Sequence, residues 1–140
     1  LEMMQVAVKA AKKKNKSIKV LGITILTSLN SQILKEELGI ERSLKEEVIY
    51  LANRAKEAGL DGVVVSPYEV EELRSRFAGD FLLVVPGIRP GGYKRNEQKR
   101  VLTPREAIKK GADFLVIGRP ILDSDDPVKA LKRILEEIES

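Results

Sequence analysis

The stretch LTPREAIKKGADFLVIGRPI, residues 102–121, contains the signals of one helix followed by one strand. Thr103 and Glu106 have the spacing of a capping box, in which the hydroxyl accepts the third amide of the helix and the carboxylate reaches back. Gly111 suits the end of that helix, because glycine adopts the left-handed conformation at little cost. The apolar run FLVIG, residues 114–118, then predicts a strand that is buried on both faces.

The same unit recurs in the preceding part of the chain. Short runs rich in Val, Ile and Leu predict four strands, at residues 18–26, 62–66, 81–87 and 114–118. Amphipathic stretches lie between them, the clearest at residues 43–60. Two more capping boxes are predicted, at Ser43 with Glu46 and at Ser66 with Glu69. A helix followed by four alternating strand–helix units predicts an α/β fold with a parallel sheet.

The composition limits both the class of protein and the chemistry that its residues can support. With 140 residues, of which 43% are apolar and 33% charged, the chain is expected to form one compact folded domain. It contains neither cysteine nor histidine, which excludes disulfides, thiolate metal sites and a histidine general base. Its apolar runs are much shorter than the roughly 18–20 residues that cross a bilayer, so we expect a cytoplasmic protein with no membrane partner.

The positive charge is concentrated in two places. The net charge is +4, six lysines fall within residues 9–19, and a basic segment, VPGIRPGGYKRNEQKR at residues 85–100, carries five cations. These five are Arg89, Lys94, Arg95, Lys99 and Arg100. Nucleic-acid sites stack bases on aromatic side chains, and the chain has only three Tyr and three Phe, so an anionic small molecule is the better expectation. The lysines of residues 9–19 are expected to lie on an exposed helix face and loop.

Ligands of parallel α/β folds bind at the carboxyl ends of the strands, so the residues directly after each apolar run are the candidates for a site. Four groups qualify: Thr27 with Ser28, Ser66 with Pro67, the basic segment, and Gly118 with Arg119 and Pro120. Gly118 lets a ligand approach the backbone, and Arg119 can make a bidentate contact to an anion. One strand-end arginine can be a solvated side chain, but two in neighbouring units favour a phosphate site. Asp61 and Asp113 precede strands and are expected to be structural.

Several longer motifs connect these local patterns. They are LTS after the first apolar run, DGVVVS at residues 61–66, PGIRP, QKRVLTP, GADFLVIGRPI and a final helix that starts with Asp-Pro. Together, from about residue 2 to the end, they resemble the orotidine 5′-phosphate decarboxylase family, most closely its bacterial form. The related 3-keto-gulonate phosphate decarboxylases and hexulose phosphate synthases share the fold but not the run from PGIRP to QKRVLTP.

The resemblance implies a parallel (β/α)8 TIM barrel that converts orotidine 5′-monophosphate to uridine 5′-monophosphate (UMP) and CO2 in pyrimidine nucleotide biosynthesis. That family works without a cofactor and as a homodimer. By resemblance, Thr27 is expected to contact the pyrimidine or ribose, and Arg89 and Gln98 to lie in a loop that closes over the nucleotide. Gly118 and Arg119 are expected to hold the 5′-phosphate.

One motif of that family is missing. Its catalytic D-x-K-x-x-D sequence, on the third strand, occurs nowhere in this chain. The resemblance therefore assigns the four strands as strands five to eight and residues 1–140 as a single domain, the C-terminal half of the barrel, with the N-terminal half absent. Such a half would leave two open sheet edges and an uncovered interior, and we expect it to be inactive alone.

Two other functions stay open at this point. A half-barrel of this kind could bind nucleotides or phosphates without turning them over, or it could belong to another sugar-phosphate lyase of the same fold. In each case no catalytic residue and no metal site is predicted within the chain. The predicted partners are orotidine or uridine 5′-monophosphate, a second subunit and the N-terminal half-barrel.

Overall fold

The computed structural model describes residues 1–77, 79–91 and 102–139, and in them a helix is followed by four strand–helix units. The elements are α1 (Glu2–Lys14), β1 (Leu21–Ile23), α2 (Ser31–Glu36), α3 (Leu44–Glu57), β2 (Gly62–Val64), α4 (Val70–Arg76), β3 (Leu82–Pro86), α5 (Pro104–Lys109), β4 (Phe114–Val116), α6 (Arg119–Leu122) and α7 (Pro127–Glu139). The predicted order of strands and helices is confirmed. The short helix α6, between β4 and α7, was not predicted from the sequence.

The four strands form one parallel sheet in the order β1-β2-β3-β4, which confirms the predicted fold class. Each strand lies beside the next one along the chain, and the helices make the connections that parallel strands require. Ile23, Val64, Val84 and Phe114 stand in one row across the sheet. Their side chains therefore share one face, while the residues on either side of each point to the other.

The first strand is shorter than its apolar run. β1 covers Leu21–Ile23, whereas residues 18–26 were predicted to be a strand. Before the strand, the amide of Val20 donates to the carboxylate of Asp61 at 2.8 Å. After it, the Thr24 hydroxyl donates to the carbonyl of Val64 at 2.9 Å. Side-chain hydrogen bonds thus add to the backbone hydrogen bonds at both ends of β1.

The two faces of the sheet have different surroundings. On one face Val63, Val65, Leu83 and Val85 are fully buried, and they share a single apolar cluster with residues of α3 and α4. Burying each such side chain contributes about 1.5–3 kcal/mol. On the other face Ile23, Phe114 and Val116 are 62%, 56% and 52% exposed. Val84 of β3 lies on this same face and is only 8% exposed, so the exposure is greatest at β1 and β4. These are the outer strands of the sheet in the described part of the chain, where the two expected open edges are present.

Two of the three predicted capping boxes are present. At α3 the amide of Ser43 donates to Glu46 at 2.9 Å, and the amide of Glu46 donates back to the Ser43 hydroxyl. At α5 the same pair of hydrogen bonds joins Thr103 and Glu106, with a 2.9 Å bond from the Thr103 amide. Each box satisfies two amides at a helix start, where no carbonyl of the preceding turn is available.

The third predicted capping box, at Ser66 with Glu69, is wrong. Helix α4 begins only at Val70, and the side chain of Glu69 is buried instead of reaching back to Ser66. The Ser66 hydroxyl accepts the amide of Tyr68 at 3.4 Å, while its carbonyl accepts the amide of Glu69 at 3.2 Å. Ser66 therefore closes a local turn, which competes with a helix start for the same polar groups.

Asp61 and Asp113 lie at the amino ends of the strands, and their predicted structural role is confirmed. Asp61 accepts the Lys12 ammonium at 2.8 Å in addition to the Val20 amide. Asp113 pairs with the Arg74 guanidinium and accepts the amide of Leu83 at 2.7 Å. Each carboxylate thus joins its own strand start to the neighbouring strand and to a helix.

The lysine-rich run at residues 9–19 is only partly the solvated surface that was expected. Lys9, Lys13 and Lys14 are exposed, but Lys12 is half-buried and its ammonium ties α1 to Asp61. Burial opposes ionisation of Asp61, yet the hydrogen bonds from Lys12 and Val20 outweigh it, and the pKa of the Asp61 carboxyl lies below its usual value.

Candidate functional site

Thr27 lies in a turn beyond the carboxyl end of β1, four residues after Ile23. Its side chain is half-buried. Thr24, nearer to the strand, was not singled out from the sequence, although a polar residue inside an apolar run was a visible signal. Because its hydroxyl and amide both bond to Val64, Thr24 fixes the start of the segment that carries Thr27.

Arg89 is buried at the carboxyl end of β3, with 8% of its surface exposed. Its guanidinium Nη1 donates to the carbonyl of Ile88 at 2.8 Å, and its amide donates to the carbonyl of Leu102 at 2.9 Å. Ile88 and Leu102 also form an isolated parallel bridge. Ile88 and Leu102, which are 14 positions apart in the sequence, are therefore neighbours in the structure. No local sequence pattern indicated this contact.

Gln98, together with Lys94, Arg95, Lys99 and Arg100 of the basic segment, lies outside the described residues. Arg89 and Gln98 were the predicted ligand contacts after β3, and the structure gives the position of Arg89.

Gly118 and Arg119 lie directly beyond β4, as predicted. Gly118 precedes the first residue of α6 and has φ −101°, a value open to any residue type. A Cβ added at Gly118 would meet no atom of the described chain within 4 Å. Packing against the described chain therefore does not require glycine at this position. Arg119 is the first residue of α6 and is exposed.

Helix α7 contacts the segments that follow both β3 and β4. The carboxylate of Glu137 accepts the amide of Gly91 at 3.2 Å, and α7 packs against both α5 and α6. A cavity of about 350 Å³ lies at this junction, between Pro90 and Gly91 on the β3 side and Pro120 on the β4 side. Arg133 and Glu137 contribute charged groups to its wall.

A larger cavity, of about 860 Å³, lies between the starts of α3 and α4. The ion pair between Lys45 and Glu72, at 2.7 Å, joins two side chains of its wall. None of the predicted site residues lines it. Its position among helix starts, away from Gly118 and Arg119, makes it a weaker candidate than the strand ends despite its size.

The described residues hold no cluster of three or more acidic side chains that could bind a metal ion. Among the helices that the structure describes, none has the length and apolar character needed to cross a membrane.

Comparisons with known proteins show the family of the chain. The family model described as "Orotidine 5'-phosphate decarboxylase / HUMPS family" matches residues 1–134. The chain belongs to this family. The resemblance of its motifs to orotidine 5′-phosphate decarboxylases is thereby confirmed at the level of the family.

Curated relatives of the orotidine 5′-phosphate decarboxylase family match nearly the whole chain. The orotidine 5′-phosphate decarboxylase of Dictyoglomus thermophilum is 46% identical over 143 residues, which cover 99% of this chain and 59% of the relative. That of Geobacter metallireducens is 50% identical over 140 residues, covering 98% of this chain and 58% of the relative. The chain thus spans somewhat less than three fifths of the length of these curated relatives.

A solved member of the family has the same fold. The orotidine 5′-phosphate decarboxylase of Lactobacillus acidophilus superposes with a TM-score of 0.75 at 38% identity, over 87% of this chain and 50% of that chain. The parallel α/β sheet of this chain therefore corresponds to part of the TIM barrel of the family.

Proposed function

We propose that this chain supplies the phosphate- and nucleotide-binding part of an orotidine 5′-phosphate decarboxylase. That enzyme is a carbon–carbon lyase that converts orotidine 5′-monophosphate to UMP and CO2 in pyrimidine nucleotide biosynthesis. The observation that carries the proposal is the exposed end of β4, where Gly118 leaves open space beside Arg119. A glycine that packing does not require, next to an exposed guanidinium, suits the close approach of a phosphate.

The four strands are proposed to be strands five to eight of the barrel, so that residues 1–140 form one domain, its C-terminal half. Phosphate sites of TIM barrels often lie on the loops after strands seven and eight, which would be β3 and β4. The covered share of the relatives does not decide between the two halves. A D-x-K-x-x-D segment encoded before residue 1 would support this placement, whereas four further strand–helix units encoded after Ser140 would contradict it.

Within the chain, each proposed contact has a separate task. Arg119 pairs with the phosphate oxygens, and Gly118 lets the phosphate reach the backbone. Thr27 contacts the pyrimidine or ribose from the end of β1. Arg89, whose guanidinium donates to Ile88, and Gln98 act from the β3 side.

The proposed chemistry needs groups that this chain does not contain. The family motif D-x-K-x-x-D, which supplies the lysine that protonates the reacting carbon, is absent from the sequence. The phosphate is remote from that carbon, so its binding energy favours the reaction only when the nucleotide is held against the catalytic groups. We therefore propose that the chain binds and orients the nucleotide, and that the N-terminal half-barrel and a homodimer partner complete the active site in the cytoplasm.

The function is tested by replacing Arg119. Arg119→Ala is expected to weaken UMP binding to the intact enzyme by about 1.5–3 kcal/mol, roughly 10- to 150-fold, because a charge-assisted contact is lost. Isothermal titration calorimetry measures the change. Arg76→Ala is the matched control, because Arg76 is an exposed arginine of α4 that pairs with Glu72. Equal UMP affinity of wild type and Arg119→Ala would refute the proposed phosphate contact.

A nucleotide-binding module without catalysis is the second candidate, and the missing D-x-K-x-x-D motif favours it. If the intact gene product binds UMP but releases no CO2 from orotidine 5′-monophosphate, this candidate replaces the first. The family description also includes HUMPS. Turnover of a hexulose phosphate, in place of orotidine 5′-monophosphate, would assign the chain to another sugar-phosphate lyase.

A further inference from the structure

Glu137 joins the last helix to the end of β3 by a hydrogen bond across 46 residues. Its carboxylate Oε2 accepts the amide of Gly91 at 3.2 Å. Gly91 lies two residues after Arg89. A side chain of α7 thus holds the backbone that follows β3, although α7 itself follows β4 in the chain.

Helix α7 also contacts the elements that begin at both strand ends. It packs against α5, which starts directly after Thr103, and against α6, whose first residue is Arg119. Ile134, one turn before Glu137, is only 3% exposed and anchors the helix. Because these contacts anchor α7, the backbone of Glu137 has a fixed position relative to α5 and α6.

We propose that Glu137 is a positioning residue that sets the separation between Gly91 and the Gly118–Arg119 site. Pro90, Gly91 and Pro120 line the same cavity, and Pro120 directly follows Arg119, so a shift of Gly91 changes the packing beside the Gly118–Arg119 site. The ligand part of this inference rests on the proposed function. The structural part, a coupling between Gly91 and Arg119 through α7, does not.

The coupling is tested in the full chain with three variants. Glu137→Ala removes the acceptor, Glu137→Gln keeps an amide oxygen in its place, and Glu136→Ala is the matched control on the exposed neighbour in α7. NMR is used to measure hydrogen exchange of the Gly91 amide and the chemical shift of the Arg119 amide. In Glu137→Ala, Gly91 is expected to exchange roughly fivefold faster, as loss of one hydrogen bond implies, and the Arg119 signal to move.

Rescue by the conservative variant separates positioning from general destabilisation. Glu137→Gln and Glu136→Ala are expected to keep the wild-type exchange rate of Gly91 and the wild-type Arg119 signal. Exchange of the buried Val63 amide in β2 reports whether Glu137→Ala remains folded. An unchanged Gly91 rate in a folded Glu137→Ala, or a faster Gly91 with an unmoved Arg119 signal, would overturn the coupling.

A titration with UMP gives the ligand readout. Glu137→Ala is expected to bind UMP several-fold more weakly than wild type, while Glu137→Gln binds as wild type does. Unchanged UMP affinity in Glu137→Ala would overturn the positioning role. A wild-type chain that binds no UMP, alone or within the intact enzyme, would instead count against the proposed function, and the exchange and shift measurements would still decide whether Glu137 couples the two strand ends.

Discussion

Gly111 and Gly118 differ in what an added side chain would contact. Gly111 has φ +102°, and a Cβ there would lie 2.7 Å from Cγ of Arg74, so both conformation and packing require glycine. Gly118 differs, since its φ is −101° and a Cβ there would meet no atom of the described chain within 4 Å. The open space at Gly118 is where we propose that a phosphate approaches from outside the described chain.

Gly118→Ala and Gly111→Ala are expected to differ in which property they change. Gly118→Ala should weaken UMP binding, because the methyl group occupies the ligand's space, and should lower the free energy of unfolding by less than Gly111→Ala does, because it meets no packed neighbour. Gly111→Ala should lower the free energy of unfolding by more than about 1 kcal/mol, because alanine is strained at positive φ. Urea denaturation and calorimetry measure the two effects. A Gly118→Ala variant that binds UMP as wild type does would exclude close backbone approach.

Among the elements, α1 is held to the sheet by the carboxylate of Asp61. The Lys12 ammonium and the Val20 amide both bond to Asp61, whose side chain is 14% exposed. One carboxylate thereby fixes the end of α1, the start of β1 and the start of β2. Asp113 repeats the arrangement with Arg74 and Leu83 for α4, β3 and β4, so the first and the last pair of strands are each joined by one aspartate.

Asp61→Asn is expected to destabilise the chain by about 1.5–3 kcal/mol at pH 7, because hydrogen bonds to a charged group are lost. The pKa of Asp61 is lower in the folded chain than its ordinary value of 3.8. Its ionised form therefore stabilises the fold above that value, and the contribution disappears as the pH falls through the lower folded pKa.

Urea denaturation between pH 7 and pH 2 measures both the destabilisation by Asp61→Asn and the loss of stability on acidification. Asp61→Asn should lose less stability than wild type as the solution is acidified, because it has no carboxylate to protonate at this position. Asp80→Asn is the matched control, since Asp80 is exposed in a turn. Parallel pH curves for wild type and Asp61→Asn would contradict the assigned role.

How far each element could be predicted depends on the range of its interactions. The caps at Ser43 and Thr103 follow from residues three positions apart, and the structure confirms them. The cap at Ser66 failed because Glu69 is buried by tertiary packing, which outweighs a local propensity. The same limit applies to the candidate site. Gly118 follows from its place after a strand, but the burial of Arg89 depends on a fold that no short pattern contains.

At the scale of the described chain, the main consequence of the fold is that one face of the sheet is covered by helices, while the other is exposed at the outer strands β1 and β4. Leu83 faces the helices and is fully buried, whereas Phe114 and Val116 are more than half exposed on the opposite face. Large exposed apolar side chains on one face of a strand favour association with another apolar surface. In the proposed barrel, this surface is the interior that the other half would cover.

The uncovered face is expected to bind an apolar fluorescent dye such as anilinonaphthalene sulfonate. The double variant Phe114→Asn with Val116→Thr should bind less dye while the free energy of unfolding changes by less than about 1 kcal/mol, because exposed side chains contribute little to the core. Leu83→Ala is the control for the covered face and should cost about 2–5 kcal/mol. Dye fluorescence and urea denaturation measure these effects. If the double variant binds dye as strongly as wild type, the exposed apolar surface lies elsewhere; if it destabilises the chain as much as Leu83→Ala, this face is covered in solution by something the chain itself provides.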